Sequence, residues 1–306
     1  ASGKPLLIVS HMDTVWALGT IDGEVPLKLE DGRLHGPGAL DMKGGIEVAL
    51  RAIEGLVELN QLPECPIWYL ATSDEEIGSK QSRAIIEEKA QEAALVLVTE
   101  PPTADGALKT WRKGVASYVL TIEGQAAHAG NEPEKGINSV IEFAQQALEL
   151  HQLNDYKNGT SVSVTVVNGG TATNVIPSKT VAHIDTRVLT VKDYNRVYEK
   201  IMERAPFIAG SKVTIEQRHY RPPMERNATT FEQARDIAKA VGITIREDGA
   251  GGGSDGNFTA ALGIPTLDGL GPEGSGLHAP HEHVLVNTMP QKAAMIAAIL
   301  RDWSID

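Results

Sequence analysis

Five side chains of this chain could hold metal together: His11, Asp41, Glu76, Glu100 and His278. Two zinc ions need one imidazole and one terminal carboxylate each, plus one carboxylate shared between them, with a position left for water. The dipeptide Glu75-Glu76 can divide its labour, one carboxylate binding metal while its neighbour stays free as a base. Asp13 lies two residues beyond His11, where it can accept a hydrogen bond from the imidazole and fix its tautomer. Cys65 is the only cysteine, so a thiolate cage and an internal disulfide are both excluded. Each residue alone has a plainer explanation. Acidic residues at strand ends are commonly solvated or cap a helix, and Glu75-Glu76 could be a helical first turn, where carboxylates suit the dipole. His35, His151, His183 and His219, taken singly, read as surface or core. Convergence argues otherwise: four sites, each at a strand end or a glycine-rich turn, together complete one metal set.

The elements that must position these residues follow from apolar periodicity. Strands are expected at residues 5–9, 66–71 and 95–98, and helices at 41–59 and 80–94. Strand-helix alternation predicts a parallel sheet with covering helices, and ligands of such sheets bind at the carboxyl ends of the strands. The middle of the chain reads differently, with strands at 116–123, 161–167, 180–189 and 212–218 and helices at 138–150 and 191–205. That order, β-α-β-β-α-β, predicts a small split sandwich. The parallel pattern returns with a helix at 229–241, a strand near Ile243, the glycine run Gly249 to Gly253, a helix through Ala261, a strand at 265–267 and a helix at 289–303. The fold class is therefore α/β, mostly a parallel sheet, interrupted by an α+β domain: 1–113 and 225–306 form one domain and 114–224 the other.

Composition narrows the partners. The 306 residues suit two domains, and 42% hydrophobic with 22% charged residues is ordinary for a folded protein. A formal charge of -12 argues against nucleic acid or an anionic membrane as partner, since both demand a basic face. No apolar run approaches the roughly 18 residues of a membrane span. The opening Ala1-Ser2-Gly3-Lys4-Pro5 reads as a processed, tagged or truncated end. The expected compartment is the cytoplasm, with periplasm or secretion as alternatives.

Three strings carry a resemblance: Ser10-His11-Met12-Asp13-Thr14-Val15, Gly36-Pro37-Gly38-Ala39-Leu40-Asp41-Met42-Lys43-Gly44-Gly45 and Ser73-Asp74-Glu75-Glu76-Ile77-Gly78-Ser79. Together they resemble the zinc metallopeptidase family of aminoacylases, acetylornithine deacetylase, succinyl-diaminopimelate desuccinylase and carboxypeptidase G, and the likeness covers essentially the whole chain. It implies two zinc ions, with cobalt or manganese as alternatives. Asp41 would bridge them, His11 and Glu100 would complete one site, and Glu76 and His278 the other. Glu75 would be the general base. His281 and His283 compete with His278, which the resemblance favours because Glu282 follows it at the family's spacing. Members of this family usually carry a strand-and-helix segment before the His-x-Asp strand, whereas only Ala1 to Pro5 precedes it here.

The inserted domain resembles the family's lid and dimerisation domain through Gly124-Gln125-Ala126-Ala127-His128-Ala129-Gly130. The resemblance implies a homodimer in which His128 reaches the partner subunit's site and steadies the oxyanion. Asn174, Arg187 and Arg221 resemble substrate-binding positions, the last as in the glutamate-releasing branch. Two guanidinium groups suit a dicarboxylate. The glycine run with Ser254-Asp255-Gly256 resembles a substrate-facing turn, although Asp255 could instead cap the helix after it. The expected function is a glutamate carboxypeptidase acting on a small N-acyl amino acid or peptide. The alternatives are an N-acyl amino-acid deacylase and a binding module that has lost catalysis.

Overall fold

A computed structural model describes residues 3–304; Ala1, Ser2, Ile305 and Asp306, part of the expected processed start among them, lie outside the described residues. The chain divides into two compact units, one made of the residues up to Arg112 together with those from Met224 on, the other Lys113–Pro223. Along the chain run β1 (Leu6–His11), β2 (Lys28–Glu30), β3 (Arg33–His35), α1 (Gly44–Glu58), β4 (Ile67–Thr72), α2 (Arg83–Glu92), β5 (Leu95–Val98) and β6 (Leu108–Arg112). The second unit follows with β7 (Gly114–Glu123), α3 (Ser139–His151), β8 (Ser161–Gly169), β9 (Lys179–Val188), α4 (Val191–Met202) and β10 (Lys212–Arg221). The first unit then resumes with α5 (Ala228–Ala240), β11 (Glu247–Ala250), α6 (Gly256–Ala261), β12 (Thr266–Leu267), β13 (Gly274–Ser275), β14 (His283–Leu285) and α7 (Met289–Asp302).

The first unit is built on a parallel sheet of order β12-β5-β1-β4. A strand in the middle of such a sheet is covered on both faces and reads as a continuous apolar run, as Leu6-Leu7-Ile8-Val9 does. Leu6 and Ile8 pack with Val48, Ala49, Ala52 and Leu56 of α1 and with Met295, Ile296 and Ile299 of α7. Leu7 and Val9 join Ala90 of α2 with Val96 and Val98 on the other face. Each such aliphatic contributes about 2 kcal/mol by leaving water. Gly45, at the start of α1, lies so close to β5 that a Cβ there would sit 1.9 Å from the Thr99 carbonyl oxygen. The glycine pair thus lets α1 begin directly over the end of the sheet. Among the described residues no helix is long and apolar enough to cross a membrane.

The second unit is an antiparallel sheet of order β10-β7-β9-β8. Ala116, Tyr118, Leu120 and Ile122 alternate along β7 toward a core shared with Leu150 of α3 and with Val197 and Ile201 of α4. The intervening residues, Val115 to Thr121, stand half-buried on the opposite face.

Several sequence expectations shift. The helix expected from residue 41 starts at Gly44, and Asp41 sits in a kinked segment before it with φ -115° and ψ 92°. The helix expected from residue 80 starts at Arg83, because the Asp74 carboxylate accepts the N–H groups of Gln81 and Ser82 and holds the preceding turn. The strand expected near Ile243 lies at Glu247–Ala250, parallel to β6. Neither β6 nor the small antiparallel sheet β13-β14-β3-β2 was legible. Their segments are two to five residues long and lack apolar alternation.

Candidate active site

The sheet lines up the acidic and imidazole residues at its carboxyl edge. His11 is the last residue of β1, Glu75 and Glu76 follow β4, Glu100 follows β5 by two residues, and Asp268 follows β12 directly. His11 therefore stands between the β5 and β4 ends. Its Nε2 lies 3.1 Å from Asp41 Oδ1 and 3.4 Å from Glu100 Oε1. The other Asp41 oxygen, Oδ2, lies 3.3 Å from Nε2 of His278, which is also 3.5 Å from Glu76 Oε2. One carboxylate thus offers a different oxygen to each of two imidazoles. Ligand atoms of His11, Glu75 and Glu100 fall within 4.8 Å of one another, as do those of His11, Asp41 and Glu76. His278 adopts a left-handed φ of 58°. Of the three neighbouring histidines it is the one that reaches Asp41 and Glu76; His283 instead rests against the His35 ring, with its Nδ1 at the His281 carbonyl.

The residues fit a metal centre. His11 Nδ1 donates to the main-chain carbonyl of Asp13 at 3.1 Å, which leaves Nε2 facing the carboxylates as the nitrogen that could bind a metal. The Asp13 carboxylate lies 3.5 Å from the same ring nitrogen, and its Oδ2 accepts the Glu76 N–H at 3.0 Å. Asp13 therefore ties the His11 strand to the Glu75-Glu76 turn. Glu76 Oε1 and Asp13 Oδ1 are buried and lack a hydrogen-bond partner among the described residues. Buried oxygens of that kind call for a cation or water.

Electrostatics point the same way. Burial opposes charge on His11, but the Asp41 and Glu100 carboxylates outweigh it and push the imidazole up to about 12. Burial, and then the Asp41 charge, push Glu76 up to about 7. Glu100 is buried, which alone would raise it; His11 and the Arg112 guanidinium outweigh that and hold it near about 2. A field that keeps a proton on His11 this firmly stabilises positive charge where a metal ion would take the proton's place.

Two supports were not read from the sequence. Arg112, buried at the end of β6, grips Asp268 through Nε at 2.7 Å and Nη2 at 3.1 Å, and its Nη2 lies 3.6 Å from Glu100 Oε2. Asp268 obeys the same strand-end rule that singled out the ligands, so that rule could have found it. Glu282 was noted only for its spacing from His278. Asp255 stands at the start of α6 without capping it; its carboxylate accepts the hydroxyls of Ser79 and Thr72.

In the second unit, His128 is exposed and its Nδ1 accepts the N–H groups of Gly130 and Asn131, both at 3.1 Å. The proton is therefore on Nε2, which can donate. The Ala129 N–H bonds the Asn174 carbonyl at 2.9 Å, and His128 bridges Val175, so the His128 and Asn174 segments run side by side. Arg187 and Arg221 pair with the same β7 residue, Val115, from its two sides. Directly opposed residues share a sheet face, so the two arginines stand in one row about 10 Å apart, two strand spacings. A bulge in β10 between Gln217 and His219 makes this so: without the extra residue, Arg221 would point to the helix-covered face. Arg187 also holds Asp185 through Nε at 2.9 Å and Nη2 at 3.1 Å.

Comparison with known proteins gives the family. The profile of peptidase family M20/M25/M40 matches residues 7–302. Carboxypeptidase G2 of Pseudomonas sp. (strain RS-16) is 32% identical over 308 residues, covering 98% of this chain and 74% of that protein. Succinyl-diaminopimelate desuccinylase of Dechloromonas aromatica (strain RCB) is 30% identical over 292 residues, covering 89% of this chain and 76% of the relative. Among solved structures, aminopeptidase PepT from Bacillus cereus matches with a TM-score of 0.82 at 25% identity, covering 97% of this chain and 80% of that one. The metallo-carboxypeptidase Sso-CP2 from Sulfolobus solfataricus shares the fold, with a TM-score of 0.70 at 20% identity over 97% of this chain and 84% of that one. The chain belongs to peptidase family M20/M25/M40 and is a metal-dependent hydrolase.

Proposed function

We propose that this hydrolase holds two zinc ions and releases a C-terminal glutamate-like residue from a small N-acyl amino acid or peptide. In this reading Asp41 is the shared ligand, His11 and Glu100 complete one site, and Glu76 and His278 the other. Residues 1–113 and 225–306 are the catalytic domain; residues 114–224 are a lid that also forms a homodimer. Zinc, when bound, lowers the pKa of water and polarises the scissile carbonyl. The chain's own residues do the rest. Glu75 takes a proton from the attacking water and returns it to the leaving amine. Asp13 keeps His11 in the ligating tautomer. The Nε2–H of His128, contributed by the partner subunit, donates to the developing oxyanion. Arg187, Arg221 and Asn174 bind the substrate's carboxylates and orient it.

One observation supports the glutamate assignment: Arg187 and Arg221 stand in one row on one face, flanking Val115. Two guanidinium groups at that spacing match a dicarboxylate better than a single negative charge. Similarity to a protein named carboxypeptidase G2 agrees. The competing reading is an N-acyl amino-acid deacylase, favoured by the 30% likeness to a succinyl-diaminopimelate desuccinylase. Turnover of N-benzoyl-glutamate and folyl-glutamate against N-acetyl-ornithine separates the two. The glutamate substrates should win. Arg187→Ala and Arg221→Ala should each lower kcat/KM for them by about 30- to 100-fold, the equivalent of about 2–3 kcal/mol for a charge-assisted bond lost. Equal use of acidic and neutral substrates by the wild type refutes the assignment and leaves the hydrolase standing.

A further inference from the structure

Glu282 is a buried carboxylate, 1% exposed, four residues after His278. It accepts four hydrogen bonds, all at ordinary lengths. Oε1 takes the main-chain N–H groups of Leu40 at 2.9 Å and Asp41 at 3.0 Å; Oε2 takes Gly38 N–H at 3.1 Å and Trp16 Nε1–H at 3.0 Å. These donors belong to the segment that carries Asp41 and to the loop that follows His11 and Asp13. The carboxylate's own chain leads back through a tight turn to His278. Ala279 N–H bonds the Gly276 carbonyl and Glu282 N–H the Ala279 carbonyl, both at 2.9 Å. Gly276 has φ 84° and lies so close that a Cβ would meet Glu282 Cα and N at 2.9 Å. Glu282 thus joins three stretches that are distant in sequence and that carry His11, Asp41 and His278.

We propose that Glu282 is a positioning residue that sets the placement of the Asp41 carboxylate between His11 and His278, and so sets zinc affinity without itself touching the ion. This rests on the reading of Asp41 as the shared ligand. Ordinary backbone satisfaction would need only one or two acceptors on the segment. Here an ionised group takes the N–H of Asp41 itself, together with N–H groups one and three residues before it. Asp41 lies outside helical geometry, and the main-chain bonds that span it run from Lys43 N–H to the Gly38 carbonyl and from Gly44 N–H to the Ala39 carbonyl, not from its own N–H. That N–H is held by Glu282. A carboxylate offers lone pairs on both oxygens, whereas an amide offers them on one and N–H donors on the other. Glu282→Gln therefore keeps the shape but turns an NH₂ toward two donors, Gly38 N–H and Trp16 Nε1–H, if the amide oxygen faces Leu40 and Asp41.

The test uses the whole protein, stripped of metal with a chelator and titrated with Zn²⁺ against a competing indicator, with circular dichroism reporting the fold. Glu282→Gln should bind zinc about 10- to 100-fold more weakly, as is typical when the support of a metal ligand is removed. Trp16→Phe in the wild-type background removes one of four donors that fix the carboxylate and should weaken zinc about threefold, less than the 10- to 100-fold loss of the whole support. In the Glu282→Gln background the same change removes a donor facing a donor, so zinc affinity should rise. A merely structural role gives no such reversal of sign. A folded Glu282→Gln protein that binds zinc as tightly as wild type overturns the proposal. So does a Trp16→Phe change with the same effect in both backgrounds. Should Glu282→Gln not fold, Trp16→Phe alone decides: unchanged zinc affinity overturns the proposal. Asp41→Ala is the separate control. If it keeps both ions, the shared-ligand reading fails, and the loss is distinguishable from a failure at Glu282.

Discussion

Filling the metal-free centre with zinc should drive protons out, and the structure sets a minimum number. His11, pushed up to about 12 by Asp41 and Glu100, is fully protonated at neutral pH in the metal-free protein. Glu76, pushed up to about 7, is half protonated there, while Glu100, held near about 2, carries no proton. A metal ion needs neutral imidazole and ionised carboxylate, so uptake must draw about 1.5 protons at pH 7 and about 1.9 at pH 6 from His11 and Glu76 alone. These two groups also contribute to the slope of log affinity against pH, about 1.9 at pH 6 and falling to about 1 above pH 8, so the affinity rises with pH across this window. The assay is calorimetric titration of zinc into the stripped protein in buffers of equal pH and different ionisation enthalpy; the dependence of heat on buffer gives the proton count. Two ordinary histidines beside ordinary glutamates would release only about 0.5 proton at pH 7. A measured value near that figure refutes the argument that the carboxylates around His11 form a cation site.

Three further outcomes follow from particular residues. Glu75→Gln should retain zinc while losing turnover by on the order of 10²–10⁴-fold, the range for removal of a general base, as metal analysis beside a rate assay would show; loss of metal would make Glu75 a ligand instead. Gly45→Ala and Gly55→Ala, both in α1, should act with opposite sign in thermal melting. The first would place a Cβ 1.9 Å from the Thr99 carbonyl oxygen and should lower Tm by several degrees, whereas the second meets nothing within 4 Å and should gain about 0.5–1 kcal/mol from helix propensity. Mixing His128→Ala with Glu75→Gln subunits under exchange should restore about a quarter of wild-type activity if each site is shared across a two-fold dimer, and none if His128 serves its own subunit.

The sequence by itself determined the class of fold and nominated a ligand set. Hydrophobic runs of four to six residues mark parallel strands, and acidic or imidazole residues just beyond them must collect at one edge of the sheet. That is a local rule, and His11, Glu75, Glu76 and Glu100 obey it. Asp41 and His278 lie on turns with no periodic signal; the string around Asp41 and the spacing of His278 to Glu282 singled them out through the resemblance. Tertiary structure decided everything that depends on which distant segment arrives beside which. Asp41 Oδ1 faces His11 and Oδ2 faces His278 because the sheet order and the Glu282 carboxylate bring three separated stretches together. Arg112, on a strand whose sequence has no strand pattern, belongs to the site through Asp268, a partner 156 residues away. The row of Arg187 and Arg221 depends on one extra residue in β10. Side chains alternate with a period of two along a strand, so a single bulge exchanges the two faces for everything beyond it. No composition or motif records that exchange; it is fixed only when the strand pairs.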